Sequence, residues 1–264
     1  MASTSPEGAA TPPKPERLLG SVMKCLTLLD LLAVQSGPVG VSELARALGA
    51  RRGTVHQQLQ TLIAAGWAEA AGDAKYRLSL RAVSIGAAVL EQADLGSRIL
   101  PTLASLAAAT GETASIAVLD HDAAMIVQRV AADRELKADI KPGTRMPLAT
   151  SASGRVLLAF CAEHERAALR AAGTRLPAQT ILTRARELGY AAQHDEYLRG
   201  MSSIAVPIAG TKLGSIALAV TAPSGRYDEE LALRGLDGAA QEIAGLLSGA
   251  VVGPRLTGAT AVTE

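Results

Sequence analysis

The side chains best equipped for chemistry gather in one short stretch, Arg51-Arg52 followed by Thr54, His56 and Gln57, with Lys75 and Arg77 a little further on. Guanidinium and ammonium groups neutralise phosphates, while hydroxyl, imidazole and amide groups reach base edges, so this set carries the inventory of a contact with double-stranded DNA. The other reactive types are dispersed. His56, His121, His164 and His194 lack metal-ligand spacing, and Cys25 and Cys161 stand far apart without a CxxC or Cys/His partner. No GxSxG elbow, HExxH pair, phosphate-binding loop or GxGxxG fingerprint occurs, so nucleophilic, metal and dinucleotide chemistry have no template. His194 beside Asp195 and Glu196 is the one group with a catalytic look, and before the Gly200 turn it reads as a solvated polar cluster. Cys161, with no adjacent cation to lower its pKa, reads as inert packing. The expectation is therefore no catalytic residue, no metal and no cofactor.

The elements that must position the cationic stretch can be read around it. Val22, Cys25, Leu26, Leu28, Leu29 and Leu32 recur at helical spacing and Gly37-Pro38 ends that helix. A second helix follows a Ser42 N-cap, with Leu44, Ala45 and Leu48 on one face. Gly49 supplies the turn into a third helix, where Val55, Leu59 and Leu62 face inward and leave Thr54, Gln57, Gln58 and Thr61 outward, with His56 on the flank. That spacing is helix-turn-helix, with the third helix in the recognition position. A hairpin from Trp67 to Leu78 then puts Lys75 and Arg77 on one face, as a wing would. The same three helices and hairpin also fit a sensor module acting through protein contacts alone, and a hydrolytic enzyme stands as a more distant alternative.

Composition and charge bound the rest. The chain has 264 residues, 48% hydrophobic and 19% charged, enough for two modest domains. Its net charge is only +1, yet from Arg17 to Arg81 eight cations face four anions, leaving the remainder near −3. A basic head on an acidic body suits a DNA-binding module joined to a sensor. No stretch approaches the roughly 20 apolar residues of a membrane helix, and a soluble protein in reducing cytoplasm is expected. The expected organisation is a disordered tail over 1–15, a winged helix-turn-helix domain over 16–81, a helical linker over 82–100, a ligand-binding domain over 101–248 and a flexible tail over 249–264. In the body, strands are predicted at 115–119, 124–130, 203–208 and 215–220, with a turn at 209–212. Helices are predicted at 152–160, 176–188 and 228–247, and Pro101 should open a new helix. The fold class is α+β.

These residues resemble the IclR-type bacterial transcriptional regulators from about Leu18 to Leu247. The likeness is carried by Ser21-Val22-Met23-Lys24, Leu44-Ala45-Arg46-Ala47-Leu48-Gly49, Thr54-Val55-His56 and Tyr76-Arg77-Leu78 in the head. Thr110-Gly111-Glu112-Thr113, Pro147-Leu148, Gly154-Arg155, Gly189-Tyr190-Ala191 and Gly200 before Ile204-Ala205-Val206-Pro207 carry it in the body. The resemblance implies a DNA-binding homodimer or dimer of dimers whose C-terminal domain is a GAF-like antiparallel sheet flanked by helices. It also implies an effector pocket formed by Ala152, Ser153, Gln193, Met201, Ser203, Ala219 and Thr221. Ser153 and the N–H groups of a helix start would attract a carboxylate, and Ser203 and Thr221 would add hydroxyls, so a small organic acid or related metabolite is the expected ligand. Ala152, Met201 and Ala219 also read as core, and Ser153 as an N-cap. Three positions depart from the family pattern: Ser203 replaces a customary Cys, Gln193 a customary acid, and Ala149 a common His. The effectors of relatives therefore do not transfer directly.

Overall fold

The computed structural model describes residues 19–209 and 215–248. The chain divides into two compact units at Gly86/Ala87. The expected tails over 1–15 and 249–264, and most of the turn expected at 209–212, lie outside the described residues.

The first unit runs α1 (Gly20–Ala33), β1 (Val39–Gly40), α2 (Val41–Ala47), α3 (Arg52–Ala64), β2 (Ala68–Ala70) and β3 (Lys75–Leu78). Its core joins Leu28 and Leu32 to Leu44, Ala45, Val55, Leu59 and Leu62, closed by Val39 and Tyr76. Gly49 turns α2 into α3 at φ +58, a left-handed conformation that costs a glycine nothing. The helix expected to start after Ser42 starts earlier, with Gly40 at its N-cap. Val39 and Gly40 pair with Tyr76 and Lys75 in a three-stranded sheet of order β1-β3-β2, and that pairing sets where α2 begins. Val22 and Leu26, expected on the buried face of α1, are each 49% exposed. Beyond the wing, the Arg81 guanidinium donates to the Ala65 carbonyl at the end of α3 (2.7 Å) and lies over the Trp67 ring at 5.3 Å. A cation at a helix C-terminus and over an aromatic face is favourable twice over.

A helix, α4 (Arg81–Gln92), carries the chain across the boundary. The second unit then runs α5 (Leu100–Thr110), β4 (Thr113–Asp120), β5 (Ala123–Val130), β6 (Arg145–Pro147), α6 (Ala152–Phe160), α7 (Glu163–Ala171), α8 (Gln179–Leu188), β7 (Ala191–His194), β8 (Met201–Ile208), β9 (Ile216–Pro223) and α9 (Glu229–Ser248). Pro101 lies in the first turn of α5, as expected of a residue with no N–H to offer. Leu95 and Ile99, inside the expected linker, are buried in this unit's core. Helical periodicity missed α7, whose Glu163-His164-Glu165-Arg166 opening is polar, and strand patterning missed the short β6 and β7.

The six strands form one antiparallel sheet in the order β6-β5-β4-β9-β8-β7. Alternation along β8 and β9 makes its two faces unlike. One face presents Ile204, Val206, Ile208, Ile216, Leu218 and Val220, which pack with α5 and α9. The other presents Ala205, Ala217 and Ala219 beneath α6 and α8. Small residues let α6 approach closely. A Cβ on Gly154 would meet the Leu148 backbone at 2.6 and 2.8 Å, whereas one on Gly238, within α9, would meet nothing within 4 Å. Gly154→Ala should therefore lower the second unit's stability by about 1–3 kcal/mol, and Gly238→Ala should raise it by up to about 1 kcal/mol. Thermal unfolding of the two variants checks both signs.

Candidate functional site

The first candidate site is the outer face of α3 with the wing. Arg51 is the N-cap residue of α3 and Arg52 its first residue, so both cations stand at the helix entry. Arg51, Arg52, Thr54, His56 and Gln57 are all exposed, while Val55, Leu59 and Leu62 are buried on the opposite side. On β3, Lys75 and Arg77 project outward on either side of buried Tyr76. They are not equivalent. Arg77 Nε donates to Glu69 Oε1 at 2.7 Å, so its charge is partly engaged across the hairpin.

The second candidate site is a cavity of about 140 Å³ in the second unit. Of the seven residues that the resemblance named, Ala152, Ser153, Gln193, Met201, Ser203 and Thr221 line it. Ala219 does not; it packs in the core on the same face of the sheet. Register explains the grouping. Gln193 pairs with Ser203, Ser203 with Thr221 and Thr221 with Thr113, a polar row across four adjacent strands at the end of the alanine face. Ser151 rather than Ser153 caps α6: its Oγ accepts from the Gly154 N–H (3.1 Å) and donates to the Pro147 carbonyl (2.7 Å). Among the described residues the Ala152 and Ser153 N–H groups have no backbone acceptor, so two unpaired donors stand at the start of α6, in residues that line the cavity. Ser115, Ser153 and Thr221 are buried residues that line the cavity, and among the described residues their hydroxyls make no hydrogen bond within the protein.

Sequence reading missed the wall opposite. The 131–144 segment contributes Lys137, Ala138, Asp139 and Ile140 to the lining. Thr113 holds it, with Oγ1 donating to the Ala138 carbonyl (3.1 Å) and accepting from the Ala132 N–H (3.3 Å). Arg226 pairs with Glu112 and donates to the Leu136 carbonyl at 2.6 Å. Asp139 is neutralised by Arg129 (2.9 Å), whereas Lys137 has no ion-pair partner among the described residues. The available signal was the length of this irregular segment, since connections of that size in compact domains are commonly functional.

One reading gains detail and one needs correction. His194, Asp195 and Glu196 are all exposed, as a solvated polar cluster should be, and each is also bonded within the protein. His194 Nε2 lies 3.2 Å from Glu229 and its Nδ1 3.3 Å from Ser202 Oγ. Asp195 accepts from the Gly200 N–H (2.6 Å) and from Ser224 Oγ (2.9 Å), and these bonds hold its carboxyl below the usual range. Glu196 forms a bidentate pair with the buried Arg155. Together these contacts fix the 195–200 turn that brings Tyr197 and Leu198 to the cavity. Cys161 does have a cation beside it, Arg166 Nη1 at 3.7 Å from Sγ, supplied by the unforeseen α7. Burial still dominates and pushes the thiol up.

Comparison with known proteins gives consistent matches. Residues 87–248 match the family model described as bacterial transcriptional regulator IclR C-terminal, and residues 21–72 match the IclR helix-turn-helix domain. The regulator BhcR of Paracoccus denitrificans is 35% identical over 137 residues, 52% of this chain and 49% of that protein. The chain spans about half to three fifths of the length of the first curated relatives it matches. In fold it resembles an IclR regulator from Alicyclobacillus acidocaldarius (TM-score 0.76, 23% identity, 88% of this chain and all of that one). It also resembles an IclR homologue from Microbacterium hydrocarbonoxydans complexed with 4-hydroxybenzoate (TM-score 0.73, 22% identity, 87% of this chain and all of that one).

Burial and the raised pKa of Cys161 make a reactivity difference. In the native protein, a disulfide reagent at pH 8 should modify the half-buried Cys25 and leave Cys161 untouched until unfolding. Rapid native labelling at Cys161, located by peptide mapping, would contradict this.

Proposed function

The chain belongs to the IclR family of bacterial transcriptional regulators, and from that premise we propose that it binds operator DNA through α3 and the wing under control of a small-molecule effector held in the second unit. The observation that carries the DNA reading is the free face of α3: cations at its entry, hydroxyl, imidazole and amide groups along it, and a fully buried aliphatic stripe behind. Arg51 and Arg52, with Lys75 and Arg77 on the wing, meet phosphates. Thr54, His56 and Gln57 read base edges in the major groove.

The effector we propose is a small organic acid. A cavity of about 140 Å³ suits a molecule near the size of one aromatic ring or a short aliphatic acid. The free N–H groups at the start of α6 suit a carboxylate. The 4-hydroxybenzoate held by the Microbacterium homologue is of the same chemical class. Ala152, Ser153, Gln193, Met201, Ser203 and Thr221 form the site, with Ala219 supporting it from the core. Control of DNA binding follows if the ligand has different affinities for two arrangements of the protein.

The protein acts, in this reading, as a cytoplasmic homodimer or dimer of dimers, since paired recognition helices suit a palindromic operator. The exposed Val83, Ile85 and Val89 of α4 offer an apolar surface for a second copy. Among the described residues no helix is long and apolar enough to cross a membrane. A regulator is favoured over a hydrolase by the state of Ser202. It is 1% exposed and already paired with Ser224 Oγ at 2.8 Å, so the Glu229–His194–Ser202 chain has no accessible nucleophile.

Fluorescence anisotropy on the upstream intergenic DNA, against a scrambled duplex and across a salt series, tests the reading. Arg52→Ala should weaken binding to both duplexes and reduce the salt slope by about 1. Gln57→Ala should instead change base preference, by about 1–3 kcal/mol at one position. Equal sequence discrimination in Gln57→Ala and the parent would remove that residue from base reading. An acid that binds the cavity without changing operator affinity would refute the regulatory link.

A further inference from the structure

The wing differs from the rest of the first unit in charge. Between Ala68 and Leu78 two bases, Lys75 and Arg77, stand against two acids, Glu69 and Asp73, so the hairpin is neutral and the positive excess of the head lies outside it. Its two cations also differ. Lys75 has no ion-pair partner among the described residues, whereas Arg77 lies directly across the β2–β3 ladder from Glu69 and is held by it. The hold uses a single point. Arg77 Nε donates to Glu69 Oε1 at 2.7 Å, and among the described residues neither Nη group makes a hydrogen bond, so their N–H donors are left for another acceptor.

With side chains 59% and 44% exposed, the pair adds little to stability. Its effect falls on what Arg77 can meet. Attraction of a protein to DNA through charge alone is blind to sequence, and the Glu69 carboxylate removes the Arg77 contribution to it. A free arginine also swings to any phosphate within reach, and a charge-assisted bond restrains that freedom. We propose that Glu69 is a positioning residue for operator recognition: it cancels and tethers Arg77, so that the wing grips a phosphate lying where the Nη groups are held and adds little to the binding of other duplexes. The inference rests on the reading of α3 and the wing as the DNA-binding face. Lys75 supplies the sequence-blind part of the wing's grip, and Arg77 under Glu69 the discriminating part.

Glutamine at position 69 keeps an oxygen for the Arg77 Nε–H and nearly the same shape, but loses the charge. The wing then carries a net positive charge, and a guanidinium held by a weaker bond to a neutral acceptor is free to reach other phosphates. Binding of unrelated DNA gains most, because on the matched sequence Arg77 is already in place.

The test uses the full chain and fluorescence anisotropy across a salt series, with a duplex that the parent selects from a random-sequence pool and a scrambled duplex of the same composition. In Glu69→Gln, affinity for the scrambled duplex should rise roughly fivefold to tenfold at about 0.1 M salt, with a salt slope steeper by about 1. The selected duplex should gain less, so that discrimination falls by about threefold or more. Unchanged discrimination overturns the proposal. In an Arg77→Ala background the same substitution should raise both affinities by one factor, and a fall in discrimination as large as in the parent overturns the action of Glu69 through Arg77. Should Glu69→Gln fail to fold, Arg77→Ala alone decides: it should weaken the selected duplex several times more than the scrambled one, and equal losses overturn the proposal. Lys75→Ala keeps this idea apart from the reading beneath it. Weaker binding of both duplexes, beside an unmoved ratio in Glu69→Gln, overturns the role of Glu69 and leaves the wing on DNA. Unchanged binding of both removes the wing from the DNA-binding face and the proposal with it, and a parent that selects no duplex overturns both.

Discussion

The second unit depends on the alternation of large and small side chains along its two central strands. Ile204, Val206, Ile216, Leu218 and Val220 all point one way, where α5 and α9 bury them, and the area so removed from water supplies the main stabilisation of this half of the protein. Ala205, Ala217 and Ala219 point the other way, under a helix that approaches close enough to require a glycine at 154. Where those small residues give way to Ser203, Thr221 and Gln193 at the end of the strands, α6 has only begun, and a space remains. The cavity is thus where the alanine face stops being filled. Close packing elsewhere in this unit keeps it open, because the walls cannot collapse without disturbing the core behind them.

Such a space costs free energy unless its polar groups are managed. The structure satisfies most of them by pinning loops. Thr113 spends its hydroxyl on the 131–144 segment, Gln193 its Oε1 on the 195–200 turn and its Nε2 on Met201 and Ser203 of β8, and Arg155 and Glu196 neutralise each other beside them. What stays open is a small set of hydroxyls and the first N–H groups of α6. Buried polar groups that a protein leaves unmet are a liability on their own and an asset once a ligand meets them. The loops around the cavity are therefore held by bonds within the protein, apart from the groups that stay open.

The first unit solves a different problem with little apolar surface. Its helices bury one narrow stripe each, and the outer face of α3 stays free only because the turn at Gly49 and the sheet pairing of Val39 with Tyr76 hold the stripe inward. Arg81 extends the arrangement: by meeting the Ala65 carbonyl at the end of α3 and the Trp67 ring, it ties the chain leaving the wing to the end of that helix. A cation counted with the DNA-binding charge in a linear reading is here a brace.

What the sequence by itself determined were the features with a local physical cause. Helical spacing of Val55, Leu59 and Leu62 settles which face of α3 is free. Pro101 and Gly49 mark an opening and a turn, and runs of β-forming residues set off by turn residues mark β4, β5, β8 and β9, because each signal lies within a few neighbouring residues. Only the tertiary structure decided the rest. The polar row from Gln193 through Ser203 and Thr221 to Thr113 depends on strand register, which pairs residues 10, 18 and 108 positions apart and leaves no periodic trace. The same holds for Glu229 on His194. Arg166 beside Cys161 and the four partners of Gln193 are nearer in sequence, but they meet through turns that helical and strand periodicity do not mark. Local pattern reports which way a side chain faces; what it meets there is decided by long-range packing.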